Sequence, residues 1–153
     1  MEKLQALTMT IGWTLIRVTF GFYLAYAHGF DKVFGHAADG TANAVKFSAG
    51  VAKLGHPFDW APLAFAWAAA LSEFLGASLL AAGLFTRPAA FFVLFTMAVA
   101  IRHHLADGLK DAESAMLYAV PALAFLLGGP GPIALDPIAK KILPMFRKKK
   151  EAS

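Results

Sequence analysis

A chain of 153 residues carries 58% apolar and only 16% charged side chains, with a mean hydropathy of +0.58, where a soluble domain has roughly 45–50% apolar and 25% charged. The length leaves room for one core and not two, and the composition excludes water as the solvent of most of the surface. The formal charge of +4 belongs to one end. Lys140, Lys141, Arg147, Lys148, Lys149 and Lys150 supply six of the fourteen cations, and residues 1–139 hold eight cations against nine anions, so no basic face that could track nucleic acid is expected. The chain has no cysteine, which removes disulfides, thiol redox chemistry and any thiolate-bound or covalent thiol-linked cofactor.

In chain order, residues 1–27 make a poor secretory signal, because the apolar stretch includes Arg17, runs too long and lacks a small-x-small cleavage site. A helix in lipid satisfies its own backbone and needs about 20 mainly apolar residues. Four stretches meet that need: about 8–28, 61–85, 88–105 and 113–133. The pattern predicts an all-α, single-domain integral membrane protein, a four-helix antiparallel bundle. Asp59 and Asp111 are expected caps for the second and fourth spans. Thr86-Arg87-Pro88 offers a cap and a first-turn proline for the third. Pro121 predicts a kink, and Ala69, Ser72, Gly76, Ala77 and Gly83 give the second span small residues for close helix packing.

The one long connection, residues 29–60, holds Ala44, Phe47, Val51 and Leu54 at helical spacing opposite Lys46 and Lys53. That is the pattern of a short amphipathic helix in the first outer loop, lying in the interface, with Trp60 anchoring the chain where it returns to the membrane. Gly128-Gly129-Pro130-Gly131-Pro132 reads as a terminator. A basic tail, 138–153, suits an anionic inner leaflet. If both termini share a side, the tail, Lys3 and Arg87 place eight cations there. The positive-inside rule then makes both termini cytoplasmic.

Charges inside the membrane ask for a partner or a purpose. Arg17 sits halfway along the first span and Glu73 halfway along the second, so antiparallel packing is expected to bring them to one depth as a pair. Two readings stand: a structural ion pair that fixes helix register, or a site in which one member holds a polar head group while the other orients it. Arg17, Gly21, Leu24 and His28 share a helical face. At the outer end His28, His103, His104 and Glu113 come from three spans to one depth, as a convergent ligand site or as interfacial residues wetted by water and head groups. The candidate ligand site is therefore Arg17, His28, Glu73, His104 and Glu113. Imidazole also binds zinc, copper and iron, which makes His28, His103, His104 and Glu113 a metal alternative, weakened because adjacent His103 and His104 point about 100° apart. Nucleotide-binding, serine-hydrolase and zinc-protease motifs are absent.

Together these residues resemble the DoxX-like family of small membrane proteins. The resemblance rests on Arg17 with Gly21, His28-Gly29 with Lys32, Glu73-Phe74-Leu75-Gly76, and Gly83-Leu84-Phe85-Thr86-Arg87 before Ala89-Ala90. It continues through His104, Glu113 and Gly129-Pro130-Gly131 with Leu135-Asp136. Ala77 stands where many relatives carry a second glycine. The resemblance implies a four-helix protein of the prokaryotic inner membrane. The family's name comes from a terminal-oxidase subunit, related chains are associated with thiosulfate:quinone oxidoreduction, and others with oxidative-stress complexes. No catalytic residue is carried over. The expectation is a redox-associated subunit binding a quinone or other small polar-headed ligand, with a homo-oligomer or other redox subunits as partners within the bilayer. A non-enzymatic scaffold and a metal or small-solute transporter are the alternatives.

Overall fold

The computed structural model describes residues 1–105 and 107–139. The basic tail expected over 138–153 lies outside them beyond Ala139. Five helices organise the described residues: α1 Glu2–Phe34, α2 Asn43–Ala52, α3 Pro62–Ala82, α4 Thr86–His104 and α5 Leu109–Gly128. Strands are absent among these residues, and one isolated bridge, His36 to Ala42, ties the loop after α1. Within that loop the Thr41 backbone N–H, then the Lys46 ammonium, hold the exposed Asp39 carboxyl below its usual pKa.

Three helices, α1, α3 and α5, are long and apolar enough to cross a membrane, and the chain is a multi-pass membrane protein. α4 has comparable length but carries Arg87, Arg102, His103 and His104 at its ends. The outer circumference is apolar, with Phe22, Tyr26, Phe92, Leu117, Val120 and Leu127 each more than half exposed, as expected where acyl chains replace water.

Several boundaries differ from those the sequence predicts. α1 starts at Glu2 and continues past His28 to Phe34, giving 33 residues instead of about 21, and α5 runs over 109–128 instead of 113–133. Apolar periodicity shows where lipid contact is needed and says less about where a helix stops. α5 passes through Pro121 and ends where Gly129 and Gly131 adopt left-handed φ of 77° and 78°, a conformation glycine takes without steric penalty.

The capping expectations are also corrected. Neither Asp59 nor Asp111 caps a helix; Ala61 and Gly108 hold those positions, without a side-chain bond. At α4 the cap position is Phe85, in a left-handed conformation, and its helper comes from far along the chain. The Asp136 carboxylate accepts from the Phe85 N–H at 2.6 Å and from the Thr86 N–H at 3.1 Å, satisfying donors the helix leaves unpaired. Asp136 and Leu135 donate their own N–H groups to the carbonyls of Gly83 and Ala82. The segment after α5 thus folds across one end of the helices, which we call the base.

α1 and α3 run antiparallel in close contact. A Cβ added at Gly21 would lie 2.5 Å from the Ala77 carbonyl oxygen, and one added at Gly29 would fall on the peptide between Glu73 and Phe74. Small residues on both helices permit that approach, as the α3 pattern predicts. Each helix widens there into one π-helical turn, Ala25–Gly29 in α1 and Ser72–Gly76 in α3. Such turns insert an extra residue and re-aim the side chains around them. The main core joins Phe20 and Leu24 of α1, Leu80 of α3, Val93 and Met97 of α4, and Phe125 of α5. Away from the base, α2 packs against the first half of α3, beyond the end of α1 at Phe34. Val51 of α2, Phe58 and Ala66 form a second cluster with Leu54, Phe65 and Val99. The amphipathic helix therefore exists, and Ala44 and Val51 on its apolar face are buried in protein.

Candidate functional site

The expected pairing of Arg17 with Glu73 does not occur. The Arg17 guanidinium lies beside Gly83 and donates to the backbone carbonyls of Pro130 and, at 2.7 Å, Ile133. Gly83 is ten residues from Glu73 along α3, which at about 1.5 Å per residue separates the two charges by about 15 Å along the axis. The cause is register. α1 has 33 residues to the 21 of α3, and its first dozen lie past the base, so equal fractional positions along the two helices are not equal depths.

Arg17 is 3% exposed, and its partners are the carbonyls that the glycine-rich segment leaves unpaired. Trp13 donates its indole N–H to the Gly129 carbonyl at 3.2 Å and Arg87 donates to the Leu127 carbonyl at 3.3 Å. Cations at the carbonyl end of a helix are electrostatically favourable. The base is a fastening made of side chain to backbone contacts.

Glu73, 4% exposed, has another partner. Its two carboxylate oxygens accept from the Lys32 ammonium at 2.8 and 2.6 Å, and that ammonium also sits 4.7 Å from the centre of the Phe47 ring, close enough for a cation–π attraction. The Lys32 side chain is 26% exposed and the Glu73 side chain 5%. The π-helical turns make this possible, since Glu73 lies in one and Lys32 follows the other by three residues.

Beside the pair is a cavity of about 290 Å³. Phe47 and Val51 of α2, with Leu54 and Phe58 from the segment after it, wall one side, Phe65, Ala68, Ala69 and Ser72 of α3 a second, and Phe92, Phe95, Thr96, Val99 and Ala100 of α4 a third. His103 and His104 line its far end. The Ser72 hydroxyl, in a residue 8% exposed, has no hydrogen-bond partner among the described residues.

Of the five expected site residues, the structure brings Glu73 and His104 to this cavity and leaves three elsewhere. His28 turns toward α5, where its Nε2 is 2.8 Å from the Tyr118 hydroxyl. Glu113 stands on the exposed face of α5 in an open groove with Lys110, Leu117 and Val120. Arg17 belongs to the base. Among the described residues the metal alternative, His28, His103, His104 and Glu113, forms no group able to hold an ion.

Sequence reasoning missed Lys32, Ser72 and the α2 wall. Lys32 had no positional signal, because the π-helical turn just before it shifts it off the face that His28 occupies. Ser72 had none, being one small residue among many in α3.

Helices that cross a bilayer, with a buried ion pair at the edge of an internal cavity, define a multi-pass membrane protein with a candidate ligand site. A family model described as DoxX matches residues 12–106, more than half of the chain, so the chain belongs to the DoxX family. No curated protein and no solved structure matches it.

Proposed function

We propose that this protein is a redox-associated membrane subunit that holds a small, uncharged, polar-headed ligand of the quinone or quinol class in the cavity between α2, α3 and α4. The observation that carries the reading is the Lys32–Glu73 pair at the cavity wall, with the Ser72 hydroxyl unpartnered next to it. The pair is neutral overall, so it offers no net charge to an ion. It offers dipoles: an ammonium has three N–H donors, and two are directed to Glu73. The remaining donor, the Ser72 hydroxyl and the His103 and His104 imidazoles suit the carbonyl or hydroxyl oxygens of a ring. Five phenylalanines among the lining residues suit its faces. The volume, at the lower edge of the roughly 300–1,000 Å³ of small-molecule sites, fits one ring in place of a larger cofactor. An imidazole nitrogen within reach of the ring oxygens can take or supply the proton that quinone chemistry exchanges.

In this reading α4 completes an antiparallel four-helix bundle in the prokaryotic inner membrane, with both termini cytoplasmic and α2 and Trp60 at the outer interface. Other redox subunits or further copies of the chain are its partners. Arg17 supports a second, non-enzymatic reading for the base alone, where a scaffold role needs nothing beyond the fastening described. Protein purified without delipidation is expected to carry extractable quinone and to bind a decyl-tailed benzoquinone. Glu73→Gln is expected to weaken that binding at least tenfold. If the wild-type protein neither carries nor binds a quinone, the redox reading is wrong and the scaffold reading takes its place.

A further inference from the structure

The cavity is lined by side chains that also form the outside of the molecule. Phe92 and Phe95 are 59% and 53% exposed, Ala68 opposite them on α3 is exposed too, and all three border the same space. Phe65 of α3 turns to Phe58 and Trp60, and the rest of the α3 wall is Ala68, Ala69 and Ser72, whose short side chains cannot bridge to α4. A slot between α3 and α4 therefore connects the interior to the flank of the protein.

Its depth identifies what lies outside. Phe92 is six residues from the start of α4 at Thr86 and Phe95 nine from its end at His104, so the slot is about 9 Å from one helix end and about 13 Å from the other. Within a hydrocarbon core about 30 Å thick, that is acyl-chain territory. The slot is also chemically graded. Aromatic rings flank its outside, and Ser72, Glu73 and Lys32 stand at its inner end, where the Ser72 hydroxyl is buried and unpartnered.

Resting on the reading above, we infer that the ligand is a lipid-dissolved amphiphile that reaches the cavity sideways from the bilayer. Its compact head passes between α3 and α4 to Ser72 and the Lys32–Glu73 pair, and its apolar tail remains across Phe92 and Phe95. Water-soluble molecules with the same head do not load this site efficiently, because the slot opens onto lipid. A tail also adds its own buried apolar surface at the two rings.

The test uses the full-length protein in phosphatidylcholine vesicles and a decyl-tailed benzoquinone with a photoreactive diazirine at the tail end. Labelling that excess unlabelled probe competes away is expected on the slot-facing residues around 91–96 of α4 and 64–69 of α3. Ala68→Trp, which fills the slot away from its polar end, is expected to slow probe association at least tenfold. Should that variant not fold, Phe92→Ala widens the same slot and is expected to speed association about threefold or more. Competed labels confined to residues 53–60 and 103–110, with rates unchanged in the variant that folds, overturn lateral access while leaving the ligand reading in place. Absence of any competable label on the wild-type protein overturns both.

Discussion

The two ends of the molecule bury charge in opposite ways. At the base, Arg17 is held by carbonyls of the backbone, and Trp13 and Asp136 lock the same segment from either side. Away from the base, Glu73 is held by one movable side chain, Lys32, at the wall of a space that protein does not fill. A charge fixed by backbone is costly to remove and has little freedom to respond. A charge paired with a side chain beside a cavity leaves that side chain a further donor to turn toward a ligand, and in the proposed reading this difference in partner separates fastening from binding.

The sharpest way to break that comparison is at the contact between the π-helical turns. Gly29→Ala puts a methyl group onto the Glu73–Phe74 peptide, and a backbone obstacle cannot rotate away. The expected loss is at the upper end of, or beyond, the roughly 1–3 kcal/mol of ordinary overpacking, read as a large fall in the midpoint of thermal unfolding in detergent. A midpoint unchanged in that variant means α1 and α3 do not approach as described.

Comparable in size are the effects of the charges themselves. Lys32→Met strands the Glu73 carboxylate, and loss of one member of a buried pair costs about 3–5 kcal/mol. Adding Glu73→Gln is expected to recover most of it, because the stranded charge is then gone. Arg17→Met also destabilises, yet no second side-chain substitution rescues it, since its partners are main-chain carbonyls. Equal rescue at both ends, or at neither, erases the distinction between them.

A smaller effect is expected at Asp136. Asp136→Ala removes the acceptor for two N–H groups at the start of α4, worth about 0.5–2 kcal/mol as a helix cap. Hydrogen exchange is expected to show faster opening of residues 85–89, and unchanged exchange there refutes the cap.

Smallest is a pH effect confined to the 36–42 loop. The lowered pKa of the Asp39 carboxyl means its ionised form stabilises the loop above the ordinary carboxylate range. That support is lost as pH falls through the lowered value. Exchange at Thr41 is expected to rise on acidification once intrinsic exchange is allowed for, and Asp39→Asn is expected to abolish the dependence.

Much of the fold was legible in the sequence because lipid imposes a crude and strong rule, and stretches of apolar residues of the right length have few other uses. The α2 helix was legible from a different signal, the helical spacing of Ala44, Phe47 and Val51, although it ends two residues before Leu54. What the sequence did not reveal depends on register. Arg17 and Glu73 stand at similar fractions of their spans, and only the overhang of α1 past the base places them about ten residues apart on α3. His28 turned to Tyr118 and Lys32 to Glu73 because Ala25–Gly29 is a π-helical turn, and the extra residue shifts every position after it. Periodicity of 3.6 carries no sign of such an insertion. Ser72 matters only because a cavity happens to adjoin it, and a cavity is a property of three helices at once.

The Asp136 fastening also dictates an order of events during synthesis. Arg17 enters the membrane early, while the carbonyls that hold it belong to residues 130 and 133, more than a hundred positions later. Until those residues emerge, the nascent first helix carries an unsatisfied guanidinium, and α4 lacks the acceptor for its leading amides. A chain that ends before residue 130 thus keeps its spans and loses its clasp, and its guanidinium has none of the carbonyl partners that hold it in the finished protein.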